Sequence, residues 1–185
     1  MKQIFLTDVI CYDGTQLRSH WIFNQTGMTG DAISAFTGPA DVSTDHMVDL
    51  VDVKNNAPIF STSMLHFLIE HFDTDLEKMI LRQRLLITIT LEELHRHNSG
   101  KNVARKGNDL FDGDRKLSVC IAAPTPVSCC IHFGINILSE GTPVPTKGLT
   151  DFGIDPKGFS VNIMQRYARE MEEVQHSRCK VRAVR

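Results

Sequence analysis

The 185-residue sequence lacks long apolar runs, an excess of charge of one sign, and paired cysteine motifs. No run approaches the roughly 18 to 20 apolar residues of a membrane-spanning helix, and the start, MKQIFLTDVI, lacks a signal-peptide layout. The 20 Lys and Arg residues nearly balance the 22 Asp and Glu residues, so no overall field attracts nucleic acid or anionic lipid. Five cysteines without a CxxC pair argue against a disulfide framework and a structural zinc site. We therefore expect a cytosolic protein with no nucleic-acid partner and no membrane partner.

The length and the hydrophobic content of 42% predict a single domain over residues 1–185. In the first third, short apolar runs separated by glycines predict a strand, a short helix and a second strand. The polar stretch over residues 41–58 predicts a surface loop. The mixture of strand-like and helix-like segments predicts an α+β fold, with a mainly antiparallel sheet and helices packed on one face.

Three further segments carry helical signals. Hydroxyl residues at 61–63 precede the run MLHFLIEHF and predict a helix over residues 64–72. A capping box, TDLE at 74–77, followed by apolar residues at helical spacing, predicts a long core helix that ends near residues 98–100. Asp155 and Pro156 predict the start of an amphipathic C-terminal helix.

Two runs with a period of two, LSVCIAA and VSCCIHFGINI, flank a Pro-Thr-Pro turn and predict an antiparallel hairpin. A register symmetric about that turn pairs Ser118 with His132, Cys120 with Cys130, and Lys116 with Gly134. One face of the hairpin is then apolar, and the other carries the polar side chains, with Asn136 just beyond them. This polar face predicts the floor of a pocket, with a solvated sheet face as the alternative.

Three short motifs follow the long helix in order: GNDL at 107–110, RKL at 115–117 and HFGINI at 132–137. This series resembles the catalytic half of biotin and lipoyl protein ligases and octanoyltransferases. The resemblance implies a biotin/lipoyl ligase-like fold, a small-molecule ligand, and an essential lysine, Lys116, that stabilises negative charge on an acyl or phosphoryl oxygen. Where those ligases have a Gly/Arg-rich adenylate loop, residues 51–63 read VDVKNNAPIFSTS.

The stretches DGTQLRSHWI, MLHFLIEHF, RKLSV and INILSEGTPVP carry a closer resemblance, which extends over the full length of the chain. They are similar to a small prokaryotic family, best represented in archaea, that is catalogued only as a domain of unknown function. This second resemblance implies no established activity.

Lys116 is the candidate catalytic residue, with an ordinary solvated lysine as the alternative. The candidate substrate-binding residues are Arg18, His20, Trp21, Asn108, Asp109, Ser118, His132, Asn136 and Glu140. The first three of these form a compact group suited to clamping an anion and stacking on a planar ring, or to anchoring a helix to the core. Asn108 and Asp109 are suited to orienting a substrate or the lysine amine, or to forming a plain turn. For His132, the alternative to substrate binding is a half-buried histidine that is bonded to Ser118.

On the predicted helix over residues 64–72, His66 and Glu70 lie four residues apart, with His71 about 100° away around the axis. This spacing is close to that of zinc proteases but matches neither HExxH nor HxxEH. A metal site and a polar helix surface are the two interpretations of these residues, and we favour the polar surface and expect no metal site.

The sequence supports three hypotheses from different classes. The first is a small-molecule acyl or nucleotidyl transferase that uses Lys116, and the second is a non-catalytic binding or assembly protein on the same fold. The third is a metal-dependent hydrolase centred on His66, Glu70 and His71. A small-molecule ligand is expected, no residue pattern specifies a cofactor, and a homo-oligomer stays open.

Overall fold

The computed structural model describes residues 1–140, 142 and 144–184. Its strands are β1 (Lys2–Val9), β2 (Ala32–Val42), β3 (Ile59–His71), β4 (Val103–Lys106), β5 (Asp109–Asp112), β6 (Arg115–Lys116), β7 (Ser118–Pro124) and β8 (Cys129–Asn136). Its helices are α1 (Trp21–Thr26), α2 (Leu50–Lys54), α3 (Leu76–His95) and α4 (Pro156–Cys179), with short 3-10 turns at Thr44–His46, Asn98–Gly100 and Leu149–Phe152. The predicted strand, short helix and strand of the first third correspond to β1, α1 and β2.

The main sheet has five strands in the order β1-β2-β3-β8-β7. β1 and β2 are parallel, and the other three pairings are antiparallel, as predicted for a mainly antiparallel sheet. A smaller sheet contains β4, β5 and β6. It packs beside the end of β7, since the backbone N–H of Leu117 donates to the carbonyl of Leu110 at 2.8 Å.

The two faces of the main sheet carry different clusters of buried residues. The helix face, which includes Leu65 and Phe67 of β3, packs against α3 and α4 through residues such as Leu86 and Tyr167. The outer face carries the alternate residues of β3: Met64, His66, Leu68 and Glu70. The expectation of helices on one face therefore holds for the two long helices, while short α1 covers part of the outer face.

The two long helices begin where aspartates cap them. Asp155 accepts a hydrogen bond from the backbone N–H of Gly158 at 2.7 Å, with Pro156 in the first turn, as the sequence predicts. For α3 the capping residue is Asp75, which accepts from the N–H of Lys78 at 2.9 Å. The predicted capping box, which made Thr74 the cap, is therefore wrong by one residue.

The predicted helix over residues 64–72 is wrong, because this segment belongs to strand β3. β3 lies between β2 and β8, and its residues pair with both neighbours. A central strand buried on both faces reads as a continuous apolar run, so its sequence does not show the alternation of a half-exposed strand. The hydroxyl residues at 61–63 lie within the strand and cap no helix.

The predicted hairpin register is also wrong, by three residues. Thr125 and Ser128 close a four-residue turn, in which the N–H of Thr125 donates to the Ser128 carbonyl at 2.7 Å. Cys120 therefore pairs with Phe133, and Ile121 pairs with His132. An odd shift exchanges the two faces, so Ser118 and His132 belong to opposite faces of the sheet, and Cys120 packs in the core beneath the helices. The expected loop over residues 41–58 contains the short helix α2.

The Gly38→Ala variant should lose stability because a Cβ at this position would lie 1.9 Å from the carbonyl oxygen of Ile10. Separating these backbone segments should cost about 1 to 3 kcal/mol, the usual range for overpacking. Urea denaturation would measure the loss. In the same strand, Ser34→Ala removes only a 3.3 Å hydrogen bond to the Leu68 carbonyl and serves as the matched control, with an expected loss of about 1 kcal/mol. Equal unfolding midpoints for Gly38→Ala and the parent protein would contradict the close approach.

Candidate functional site

A cavity of about 550 Å³, here called the main cavity, lies over the outer face of the main sheet. Its floor comes from β3, β7 and β8, which contribute Met64, Val119, His132 and Asn136. Its walls come from Tyr12, from residues in the 46–61 segment that includes part of α2, from the small sheet, and from residues 142–146 where the structure describes them. Residues from all three sequence motifs therefore line one cavity.

The lining of the main cavity is largely apolar and carries few charges. The aliphatic and aromatic residues that line it include Leu17, Met47, Val48, Ile59, Phe60, Met64 and Ile121. Among its described lining residues, Lys116 is the one ammonium group, and the carboxylates are those of Asp49, Asp52 and Asp109. A volume of this size suits a small organic molecule.

Six of the predicted site residues line the main cavity: Asn108, Asp109, Lys116, Ser118, His132 and Asn136. The other four do not belong to its described lining. Arg18 and Glu140 are exposed elsewhere, and His20 borders a second cavity of about 400 Å³ together with Glu70 and Phe72.

Trp21 is buried, with its ring centroid 5.7 Å from that of Phe36. It therefore anchors α1 to the sheet, which is the alternative that the sequence analysis gave to ligand binding. The predicted anion clamp of Arg18, His20 and Trp21 is not formed in the main cavity.

Lys116 and Asp109 form an ion pair at the cavity wall, with Nζ 2.9 Å from Oδ2. Both side chains are partly buried. Burial raises the pKa of the Asp109 carboxyl, and the neighbouring Lys116 ammonium opposes that rise. The second oxygen, Oδ1, is buried without a hydrogen-bond partner among the described residues. The carboxylate therefore holds the lysine amine in a defined place beside the cavity.

Asn108 and Ser118 fasten the small sheet to β7. The side-chain amide of Asn108 donates to the Cys120 carbonyl at 2.6 Å, and the Ser118 hydroxyl accepts from the Leu110 N–H at 2.9 Å. Both polar side chains thus contact backbone of this protein, and their effect is to fix the position of Lys116.

Asn136 ties three segments of the cavity together. Its amide nitrogen lies 3.4 Å from the carbonyl oxygens of Lys116 and Lys147, to which it donates, and its oxygen accepts from the Ser61 hydroxyl at 3.3 Å. Both the nitrogen and the oxygen of this buried amide are hydrogen-bonded within the protein, so its role is to position the backbone around Lys116.

His132 belongs to an aromatic cluster that sequence reasoning missed. Its Nε2 lies 3.0 Å from Nδ1 of His66, and the Tyr12 ring stacks on it with centroids 3.5 Å apart. Burial lowers the pKa of both imidazoles, to about 4 for His66. Gly134 lies opposite His66 across the strands, and a Cβ there would lie 2.9 Å from Met64 Cε. The glycine two residues after His132 was the available signal, since it marks close packing over that strand.

The metal hypothesis for His66, Glu70 and His71 is overturned by strand β3. Glu70 accepts hydrogen bonds from the His20 N–H at 2.9 and 3.0 Å and from the Ser128 hydroxyl at 2.7 Å. His71 lies on the helix face, with its ring nitrogens 2.8 Å from Asp31 and 3.0 Å from the Tyr167 hydroxyl. In the part of the chain that the structure describes, no three His, Cys, Asp or Glu side chains are grouped to hold a metal ion.

Comparisons with known proteins assign the chain to a family. Residues 1–182 match the family described as a domain of unknown function, DUF366. The chain belongs to this family. The DUF366 chain is 38% identical over 182 residues to the uncharacterized protein MJ0805 of Methanocaldococcus jannaschii, a match that covers 95% of this chain and 81% of that protein. Its structure is similar to that of a protein of unknown function from Pyrococcus horikoshi, with a TM-score of 0.92, 34% identity and 100% coverage of both chains.

The DUF366 chain also has the fold of biotin and lipoate protein ligases. A biotin protein ligase from Aquifex aeolicus, in complex with biotin and ATP, aligns with a TM-score of 0.63 and 12% identity over 93% of this chain and 71% of that one. The putative lipoate protein ligase Ta0514 from T. acidophilum aligns with a TM-score of 0.55 and 13% identity over 93% and 86% of the two chains. These likenesses confirm the predicted fold class, and at these identities they show the fold alone. Within the described residues, no helix has the length and apolar character to cross a membrane.

The free energy of unfolding should fall as the pH is lowered from 6.5 towards 4. In that window the unfolded chain binds a proton at His66 that the folded chain does not bind, because burial holds the folded pKa near 4. His66 should contribute a slope of about 1.4 kcal/mol per pH unit, and its contribution should be constant above pH 6.5. Urea denaturation at a series of pH values checks this.

The variant His66→Phe should reduce that slope, whereas His176→Gln on the exposed part of α4 should leave it unchanged. A slope that is the same in His66→Phe and the parent protein would contradict a neutral, buried His66.

Proposed function

We propose that the protein is a small-molecule acyl transferase in which Lys116 stabilises the negative charge that develops on a carbonyl oxygen. The observation that carries this proposal is the placement of Lys116 Nζ, held by Asp109 at 2.9 Å, on the wall of a largely apolar cavity of about 550 Å³. An ammonium fixed in advance at such a place stabilises charge without having to reorganise during the reaction.

The charges of the main cavity favour an acyl ligand over a nucleotide. A nucleoside triphosphate carries several negative charges, and its sites use several cations or a glycine-rich loop that presents backbone N–H groups. The described lining of the main cavity offers Lys116 against three aspartates, and residues 51–63 contain neither glycine nor arginine. The nucleotidyl branch of the sequence hypothesis is therefore the less supported one.

The apolar residues of the main cavity are suited to the hydrocarbon part of an acyl group. Met47, Ile59, Phe60 and Met64 lie along the same cavity as Lys116. A ligand with its hydrocarbon chain against these residues and its carbonyl beside the lysine buries apolar surface while it keeps a polar partner for its oxygen.

The transfer proceeds without a cysteine intermediate. Cys120 borders the main cavity, but burial raises its pKa, and burial also raises the pKa of Cys130 to about 12. Both therefore stay protonated thiols at neutral pH, and a thiol is a far weaker nucleophile than a thiolate. The acceptor substrate supplies the nucleophile: its bond to the carbonyl carbon forms, the bond to the leaving group breaks, and the proton passes to the leaving group.

A non-catalytic ligand-binding protein on the same fold is the second candidate. The observation that favours it is the same segment, VDVKNNAPIFSTS, which forms α2 and the start of β3 in place of a Gly/Arg-rich loop. The two candidates share the binding cavity and differ in whether the acyl bond is broken.

A thermal-shift panel of octanoate, lipoate, biotin, octanoyl-CoA and ATP tests the proposal. We expect an acyl compound to raise the melting temperature, and ATP to leave it unchanged. Lys116→Ala should weaken binding of that compound by about 10- to 150-fold, which corresponds to the roughly 1.5 to 3 kcal/mol of a charged hydrogen bond.

Lys101→Ala, in an exposed turn, is the matched control and should bind as the parent protein does. Stabilisation by ATP alone, or unchanged acyl binding by Lys116→Ala, would contradict the proposal. Release of free thiol from octanoyl-CoA separates the transferase from the binding protein, because only the former cleaves the thioester.

A further inference from the structure

The hydrogen bonds of His66 fix which of its ring nitrogens carries a proton. Nε2 lies 3.2 Å from the backbone carbonyl oxygen of Gly38. A carbonyl oxygen only accepts hydrogen bonds, so Nε2 of His66 must be the protonated nitrogen. His66 is fully buried and neutral, and its other nitrogen, Nδ1, therefore has a free lone pair.

This arrangement determines the tautomer of His132 in turn. Nδ1 of His66 accepts a hydrogen bond from Nε2 of His132 across 3.0 Å, so His132 also carries its proton on Nε2. Burial keeps His132 neutral, which leaves its Nδ1 without a proton. The two imidazoles form one directed chain of hydrogen bonds that ends on the Gly38 carbonyl.

Nδ1 of His132 lies at the other end of these linked hydrogen bonds. It makes no hydrogen bond with any residue that the structure describes. His132 lines the main cavity, and Nδ1 is its ring nitrogen without a partner among the described residues, so Nδ1 is the atom of this ring that a ligand in the cavity can engage.

We propose that His66 is a positioning residue that holds His132 as the Nε2–H tautomer, and that Nδ1 of His132 accepts a hydrogen bond from an N–H or O–H group of the bound ligand. This inference rests on the proposed function for the identity of the ligand and extends it. Lys116 donates to the carbonyl of the ligand, and His132 accepts from a second polar group. The preferred substrate is then an acyl compound that carries an amide N–H or a hydroxyl, in preference to a plain fatty acid.

The tautomers can be measured in the ligand-free protein. Long-range proton–nitrogen NMR correlations assign the ring nitrogens, and we expect Nε2 protonated and Nδ1 unprotonated in both His66 and His132. A protonated Nδ1 on His132 would overturn the proposal. This measurement on the unaltered protein stands even where a variant fails to fold.

Two substitutions separate hydrogen bonding from packing. His66→Phe keeps an aromatic ring but removes the acceptor, so His132 should become a mixture of tautomers and its Nδ1 resonance should move upfield. Phe36→Leu is the matched control, because Phe36 packs against His66 at 5.0 Å between centroids without hydrogen bonding to it. Phe36→Leu should leave the His132 tautomer unchanged. The same change in both variants would mean that His66 acts through packing alone.

A pair of amides tests the ligand-facing lone pair. Hexanamide has N–H donors, whereas N,N-dimethylhexanamide has none. Hexanamide should shift the Nδ1 resonance of His132 upfield and bind about tenfold more tightly, as expected for one additional hydrogen bond. An equal effect of both amides, or no effect of either, would overturn the ligand-facing role. If Lys116→Ala leaves acyl binding unchanged while the tautomers are as expected, the proposed function fails and the positioning role of His66 stands.

Discussion

Strand β3 hydrogen-bonds to β2 on one side and β8 on the other, and its two faces serve different parts of the molecule. Leu65, Phe67 and Ile69 pack under the long helices, where burial of apolar area stabilises the fold. The residues between them point to the outer face, where Met64 and His66 contribute to the main cavity and the cluster around it. A one-residue slip of this strand would place imidazole in the core and phenylalanine in the cavity.

The outer face contains buried polar groups, and an unpaired polar group away from water costs free energy. Glu70 illustrates how such a group is satisfied. Its carboxylate accepts from the N–H of His20, the residue that precedes α1, and so caps that helix from a distant strand. His20 itself adopts a left-handed backbone conformation with φ of 63° and provides no side-chain cap. The carboxylate thereby joins α1 to the sheet.

Hydrogen bonds to the backbone also hold the residues around Lys116 in place. Asn108, Ser118 and Asn136 bond to backbone groups, so the small sheet, β7 and β8 keep a fixed geometry at the cavity wall. Asp109 then orients the lysine amine. A charged group held by such a framework is positioned before a ligand arrives, which is the condition for effective electrostatic stabilisation of a reacting oxygen.

Features that depend on local backbone chemistry could be predicted from the sequence. The cap at Asp155, the start of the C-terminal helix and the strand-helix-strand order of the first third are all of this kind. Each is set by hydrogen bonds or periodicity within a few neighbouring residues.

The identity of β3, the hairpin register and the histidine contact depend on segments that are distant in the sequence. The apolar run of β3 is compatible with a helix or with a central strand. Its pairing with β2 and β8 makes it a strand. The register of the β7–β8 hairpin depends on which turn closes it. The hydrogen bonds between Thr125 and Ser128 set a register that differs by three residues from the predicted one. The contact between His66 and His132, 66 residues apart in the chain, is brought about by strand pairing, and Gly134 marks close packing there without naming the partner of His132.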